Sequence, residues 1–242
     1  MRLVLKTLKV QQRKNGDGHY TFERRSANPA DKLPSEGYGA PTRKVGLLHA
    51  AFRPSKSACV FPFHIASKHF AVVCVRHSAD MAEASGLGPQ FRLACMDLAD
   101  VVQVWAYELD GYGNALFTDD ANIPGLLSLP CIGACGRTDP RYLATRRAVC
   151  RDKNPYYDAA RAVAGIGGPH IGRDMVWPLS LMVQAITAQD PTDTANRLTV
   201  LRRTRAGTGF MHESVHKDVR PALHGAGLRG PTPCLAKPYW RR

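Results

Sequence analysis

The 242-residue sequence predicts a mainly α-helical fold. Three observations carry that expectation. Apolar residues recur at helical spacing over several segments. Two helix starts are announced by an Asp-Pro pair, at Asp139-Pro140 and at Asp190-Pro191. Strand patterning is thin throughout. A hydrophobic share of 44% is that of a globular chain, long enough for one large domain or two small ones.

Taken in order, the elements read as follows. The opening stretch is basic and polar, and "HYTFERR" (His19 to Arg25) is its best strand candidate. His64 to Ala84 is predicted to be a helix with Phe70, Val73 and Cys74 turned inward. From Phe91, apolar residues fall at Ala94, Cys95, Leu98, Val101, Val102 and Trp105, steps of three and four that make one helix face. "DPRYLATRRAVCR" opens with Asp139 as N-cap and Pro140 in the first helical position, where a missing N–H is harmless. Trp177 to Gln189 reads as a more apolar helix, with Trp177 lining the core. "DPTDTANRLTVLRRTRAG" repeats the device with Asp190 and Pro191 and is predicted to stop at Gly207. The last two helices form a hairpin. Between the helices lie "YELDGYGNALFTDDANIPG" and "DKNPYYDAARAVAGIGGPHIGRD". Loops of that length inside a domain are usually functional, so the pattern is rigid helices presenting chemically loaded loops.

The totals exclude some functions. No run of about 18 apolar residues spans a membrane, and the N-terminus lacks the apolar region of a signal peptide, so a cytoplasmic location is expected. The formal charge of +13 invites nucleic acid as a partner. Five of the bases stand in residues 219–242 without an acid, and ten stand against four acids in residues 1–44. No stripe interleaves bases with aromatics as a single-strand groove would, so no nucleic-acid partner is expected. The seven cysteines are irregularly spaced and read as small buried apolar residues. "CIGAC" lacks a second Cys/His pair nearby, so neither a metal nor another cofactor is expected.

Chemistry concentrates in the loops. Asp119 and Asp120 are adjacent and followed by Asn122, with Glu108 and Asp110 just before. His170 ends "GIGGPH", and "GTGFMHESVHKD" brings His212, Glu213 and Ser214. Aromatic neighbours are Tyr112, Tyr156, Tyr157, Trp177 and Phe210. Carboxylates and amides hydrogen-bond sugar hydroxyls, and aromatic faces cover the apolar side of a pyranose. Glycosidic cleavage needs two carboxyl groups, and Glu213 is a candidate for one.

Matching runs then support a family. "FRPS", "FAVV", "YELDGYGN", "DDANIPGLLSLP", "NPYY", "GIGGPH", "WPLSLMVQAIT" and "GTGFMHES" resemble, in order, those of glycoside hydrolase family 125. These are exo-α-1,6-mannosidases that work without a metal and with inversion. The resemblance covers residues 45–218 well and residues 1–44 less distinctly. It implies an (α/α) toroid of helical hairpins, here partial and truncated on the N-terminal side, since family members begin well upstream. An incomplete toroid would expose apolar helix faces, so poor solubility or oligomerisation is expected. The glutamate of "HES" is the family's general base, which makes Glu213 the residue that activates water. Glycines around it would let the backbone turn tightly. Arg53, Asp119, Asp120, Asn122, His170 and His212 would line the sugar pocket.

Two departures matter. Where the family has an Asp pair after "FRPS", the pair to which its general acid belongs, this chain has Lys56 and Ser57. Neither is a good proton donor at neutral pH. The basic, Pro/Gly-rich tail, residues 219–242, does not match. Permitted codons for Pro221 through Arg241, read from the third base, include Trp-Leu-Ala-Trp-Ala-Asn-Thr-Leu-Phe-Gly-Glu-Ala-Ile, close to the family's ending. The tail is therefore expected to be frameshifted and disordered. The sequence thus reads as an α-mannosidase relative, impaired by its missing acid, with an α-mannoside oligosaccharide as partner. The alternatives are an enzyme that recruits Asp119 or Asp120 as acid, a non-catalytic mannoside-binding remnant, and a basic nucleic-acid-binding protein.

Overall fold

The computed structural model describes residues 2–26, 28–86, 105–160, 162–205 and 209–218. Five α-helices stand among them: α1 (Arg2–Gln11), α2 (Ile65–Ala84), α3 (Pro140–Val149), α4 (Pro178–Ile186) and α5 (Pro191–Arg203). Seven short strands accompany them: β1 (Phe63–His64), β2 (Glu108–Leu109), β3 (Ala115–Leu116), β4 (Tyr157–Ala159), β5 (Ala164–Ile166), β6 (Met175–Val176) and β7 (Val215–His216). The expectation of a mainly α fold, and with it the partial toroid, is therefore corrected to helices mixed with small antiparallel sheets.

The physical reason lies in the segments that read as loops. "YELDGYGNAL" folds back on itself so that Glu108 faces Leu116 and Leu109 faces Ala115. Asp110 closes the turn. Its Oδ1 accepts from the Tyr112 and Asn114 amides at 2.8 and 3.1 Å, and Gly111 takes the left-handed φ of 81°. β1 adds on the other side of β2, pairing Phe63 with Leu109 and His64 with Glu108. β4 and β5 pair from Tyr157↔Ile166 to Ala159↔Ala164, and β6 and β7 pair as Met175↔His216 and Val176↔Val215. Strands of two or three residues are too short to show the period-two alternation that marks a strand in sequence. "HYTFERR" is not a strand; its Phe22 amide instead donates to the Gly37 carbonyl at 3.0 Å.

The Asp-Pro starts behave as their chemistry requires. Asp139 accepts from the Arg141 amide at 2.8 Å, and Asp190 from the Thr192 amide at 2.8 Å. α5 ends at Arg203, short of the predicted stop, with Thr204 as C-cap. α4 and α5 form the expected hairpin, and Val200 and Leu201 pack with Val163, Val176 and Leu181. α2 holds nearly its predicted bounds but faces inward differently. Val73 is buried, whereas Phe70 is 44% exposed and Cys74 is exposed. The inward stripe is Ile65, Lys68, Val72, Val75, Ala79 and Ala82, steps of three and four broken in character only by the lysine. Leu5 of α1 packs on Val75 and Ala79. Of the cysteines described, only Cys59 is buried; Cys74 and Cys131 are exposed, which corrects the expectation of buried thiols. The predicted helix from Phe91 lies outside the described residues, except for Trp105.

The main core gathers Ala66, Tyr107, Leu126, Leu127, Leu129, Val149, Ile166 and Trp177. It therefore joins α2, α3, the sheet around β2 and the start of α4. Ser180 Oγ fastens α4 to β5 by donating to the Trp177 carbonyl (2.8 Å) and accepting from the Ile166 amide (3.0 Å).

Candidate active site

Arg53 begins a tight turn that is closed by its own backbone. The Arg53 amide donates to the Ser57 carbonyl at 2.8 Å and the Lys56 amide to the Arg53 carbonyl at 2.9 Å. Lys56 sits at the exposed tip in the left-handed region, φ 72°, and Ser57 is buried beside it. The Arg53 side chain runs inward, 6% exposed, to a fork with Glu108: Nε to Oε1 at 2.5 Å and Nη2 to Oε2 at 3.1 Å. Glu108 Oε2 also accepts from the Val60 and Phe61 amides at 2.9 and 3.1 Å. Burial alone would lower the guanidinium's pKa, but the hydrogen bonds and charge of Glu108 raise it above its ordinary value. The guanidinium carbon lies 5.2 Å from the centroid of the Tyr107 ring.

Asp119 and Asp120, both buried, act electrostatically on the same Tyr107. Asp119 is engaged by its own loop, accepting from the Leu126 and Leu127 amides at 2.9 and 2.8 Å. Burial pushes its carboxyl well above the usual range; the Leu127 amide opposes this, and the charge of Asp120 adds to it. Asp120 Oδ1 accepts from the Asn122 backbone and side-chain amides, each at 3.2 Å, while Oδ2 is buried and unpartnered. The buried Tyr107 hydroxyl is turned towards Asp120 without meeting hydrogen-bond geometry, and burial, then the charges of Asp120 and Asp119, push it well above its ordinary pKa. Arg53, Ser57, Asp119, Asp120 and Asn122 thus surround one aromatic ring or are held by a group that does.

The remaining predicted residues lie on exposed or half-exposed segments. His170 is exposed, three residues beyond Gly167. A Cβ at Gly167 would collide with the Met175 carbonyl oxygen, and one at Gly168 would meet Asp120 Cβ at 3.3 Å. The Ala121 amide donates to the Gly167 carbonyl at 3.1 Å, so this loop lies directly on the Asp119–Asn122 segment. Glu213 is exposed, two residues before β7, and His212 is half-exposed with its Nε2 3.3 Å from the Arg205 carbonyl. β7 is pinned to β6 by their ladder and by Lys217, whose ammonium reaches Asp174 at 2.8 Å and Asp158 at 3.6 Å. A run of contacts therefore leads from the Glu213 segment through β7, β6 and the Gly167–Gly168 turn to Asp120, Tyr107 and Arg53.

Glu108, one of the acids of the predicted sugar-binding mixture, instead clamps the 53–61 loop. Two residues outside the candidate set are also central. Tyr107 packs its ring under the Arg53 guanidinium and feels the charges of Asp120 and Asp119. Asn154, 2% exposed, uses its whole amide: it accepts from Thr118 Oγ1 (2.8 Å) and the Asp119 amide (3.3 Å), and donates to the Asp119 (2.9 Å) and Val149 (3.0 Å) carbonyls. Its signal was "NPYY", a matched run without a mechanism. A cavity of about 480 Å³ opens beside this asparagine, lined by Trp105, Phe117, Thr118, Leu126, Val149 and Asn154, among others, and by none of the predicted site residues.

Loops rich in acids, amides and aromatics, fixed by buried polar clamps, fit a glycoside-hydrolase-like protein, and similarity to known proteins agrees with that class. The chain belongs to the metal-independent alpha-mannosidase family, GH125, whose profile matches residues 1–222. It is 42% identical over 216 residues to the Meiotically up-regulated gene 157 protein of Schizosaccharomyces pombe, covering 82% of this chain and 42% of that protein. It also superposes on a metal-independent alpha mannosidase of Streptococcus pneumoniae, solved as a non-productive substrate complex with alpha-1,6-mannobiose. The TM-score is 0.85 and the identity 30%, over 93% of this chain and 57% of that one. The chain thus spans less than two thirds of the length of either relative.

Proposed function

We propose that this chain binds terminal α-1,6-mannosides and that Glu213 is the base that activates water for inverting hydrolysis. One observation carries the reading. Glu213 is exposed, whereas Asp119 and Asp120 are buried and hydrogen-bonded within their own loop. Of these three carboxylates only Glu213 is free to meet a water molecule and a sugar. Both Asp119 oxygens are taken by the Leu126 and Leu127 amides, which disfavours it as a recruited acid. Asn122, His170 and His212 then contact the sugar, with Arg53, Asp119 and Asp120 behind them. The mannobiose bound by the streptococcal relative supports the substrate class.

Inverting hydrolysis needs a second carboxyl group to protonate the leaving oxygen. The turn at Lys56 and Ser57 offers none, so turnover in the natural sequence is weak or absent. Lys56 is the better place to restore an acid: its left-handed φ of 72° is one that aspartate tolerates. Lys56→Asp is expected to raise hydrolysis of α-1,6-mannobiose on the order of 10²–10⁴-fold. The released mannose should appear first as the β-anomer by NMR, and Glu213→Gln in that background should abolish turnover. Absence of turnover in Lys56→Asp, together with absence of mannobiose binding by calorimetry, refutes the reading. Lys56 itself favours a second one, a mannoside-binding protein without catalysis, which predicts binding with no turnover in the natural chain.

A further inference from the structure

We propose that Glu108 is a positioning residue: through Arg53 and the Val60 and Phe61 amides it sets where the 53–57 turn stands against the sugar site. The inference rests on the mannoside reading for its ligand, but its structural half stands alone. Glu108 is fully buried on β2, the middle strand of its sheet. Both neighbouring strands fix its backbone, so its carboxylate is a stationary point. Each oxygen is committed, Oε1 to Arg53 Nε and Oε2 to Arg53 Nη2 and two backbone amides.

Those contacts fall on both arms of one loop. Arg53 opens the turn and Val60 and Phe61 close it, while the Phe52↔Ala58 bridge lies between. Other ties on the same loop are backbone bonds, from the Ala58 amide to the Ala30 carbonyl (2.8 Å) and the Cys59 amide to the Ala51 carbonyl (3.0 Å), and the Arg24 guanidinium, which donates to the Lys56 carbonyl at 3.0 Å. A forked arginine–carboxylate pair fixes direction as well as distance, which a lysine could not do. The same pair seats the guanidinium over Tyr107, whose hydroxyl faces Asp120. Glu108 therefore bears on two walls of the site without touching a sugar.

The test replaces the pair with apolar residues. Arg53→Met/Glu108→Met removes both charges together, which a buried pair often tolerates without loss of stability, whereas Glu108→Ala alone strands a buried cation. Hydrogen exchange is read at the Arg53, Val60 and Phe61 amides and divided by exchange at Leu127, whose amide bonds to Asp119. That ratio is expected to rise about tenfold in the double variant, the equivalent of one lost hydrogen bond. Affinity for α-1,6-mannobiose, measured where both proteins are fully folded, is expected to fall by a similar factor. Glu108→Gln, which keeps one acceptor, should recover part of both. An unchanged exchange ratio, or an unchanged affinity beside a raised ratio, overturns the proposal. If the natural chain binds no mannobiose, the mannoside reading has failed, and the exchange ratio alone decides whether Glu108 holds the turn.

Discussion

Lys68→Met is expected to stabilise the protein at neutral pH and to destabilise it near pH 10.5. Lys68 stands on the inward stripe of α2, 2% exposed. Its ammonium donates to the Leu48 carbonyl and lies 4.7 Å from the centroid of the Phe63 ring. Among the described residues no carboxylate pairs with it; the groups that face it electrostatically are Cys59, His49 and His64. Burial lowers its pKa from 10.5 to about 7. The unfolded chain therefore holds a proton that the folded chain releases between those two values. Stability contributed by this group is fully present above pH 10.5 and is lost as pH falls towards 7. A difference of about 3.5 units corresponds to about 5 kcal/mol. Methionine fills much the same volume and escapes that penalty, but leaves the Leu48 carbonyl without its donor, at a cost of about 1–3 kcal/mol. The net gain at pH 7 is then about 2–4 kcal/mol, turning into a loss of about 1–3 kcal/mol at pH 10.5. Urea unfolding of both proteins from pH 6 to 10.5 measures this, because titrations common to both cancel in the difference. Parallel stability curves would refute the reasoning.

Three other outcomes are expected. Gly167→Ala should cost at least about 3 kcal/mol, because the new methyl meets the Met175 carbonyl oxygen, which β6 holds in place; thermal unfolding checks it. Asn154→Leu should cost about 3–5 kcal/mol by stranding both polar groups of the Asp119 backbone and the Val149 carbonyl; a loss under 1 kcal/mol in urea would mean that water replaces the amide. The family match ends at residue 222, and sequencing the gene should show the family's ending in the alternate frame across the codons for 221–241; its absence removes the frameshift.

What could be read from sequence was whatever carried a local mechanism. Asp139-Pro140 and Asp190-Pro191 marked two helices correctly because a cap and its first turn lie within four residues. The inward face of α2 includes the expected Val73 but not Phe70 or Cys74, because Lys68 occupies a core position and a lysine hides a stripe that spacing would otherwise reveal. The β2–β3 and β4–β5 hairpins read as loops in sequence because pairing partners this short leave no periodic trace. The site follows the same rule. Residue types in "DDAN" and "HES" suggest sugar chemistry, and the chain belongs to an alpha-mannosidase family. The engagement of Arg53 was invisible, since its partner lies 55 residues away and nothing in the local sequence selects Glu108 over Asp110.

The start of α2 carries one further consequence. His64 caps that helix with its ring: Nδ1 accepts from the Ser67 amide at 3.2 Å and lies 2.7 Å from Ser67 Oγ. Burial lowers the ring's pKa from 6.5 to about 3, so the cap stays intact at ordinary pH while the unfolded chain titrates. As pH falls from 6.5 through 3 this group's stabilisation is lost, and the imidazolium that then forms has no lone pair to offer the helix. The first turn of the longest described helix is in this sense fastened by a knot that acid unties. The strand that holds the knot, β1, pairs with the one bearing Glu108, so this acid-sensitive cap and the Arg53 clamp share one small sheet.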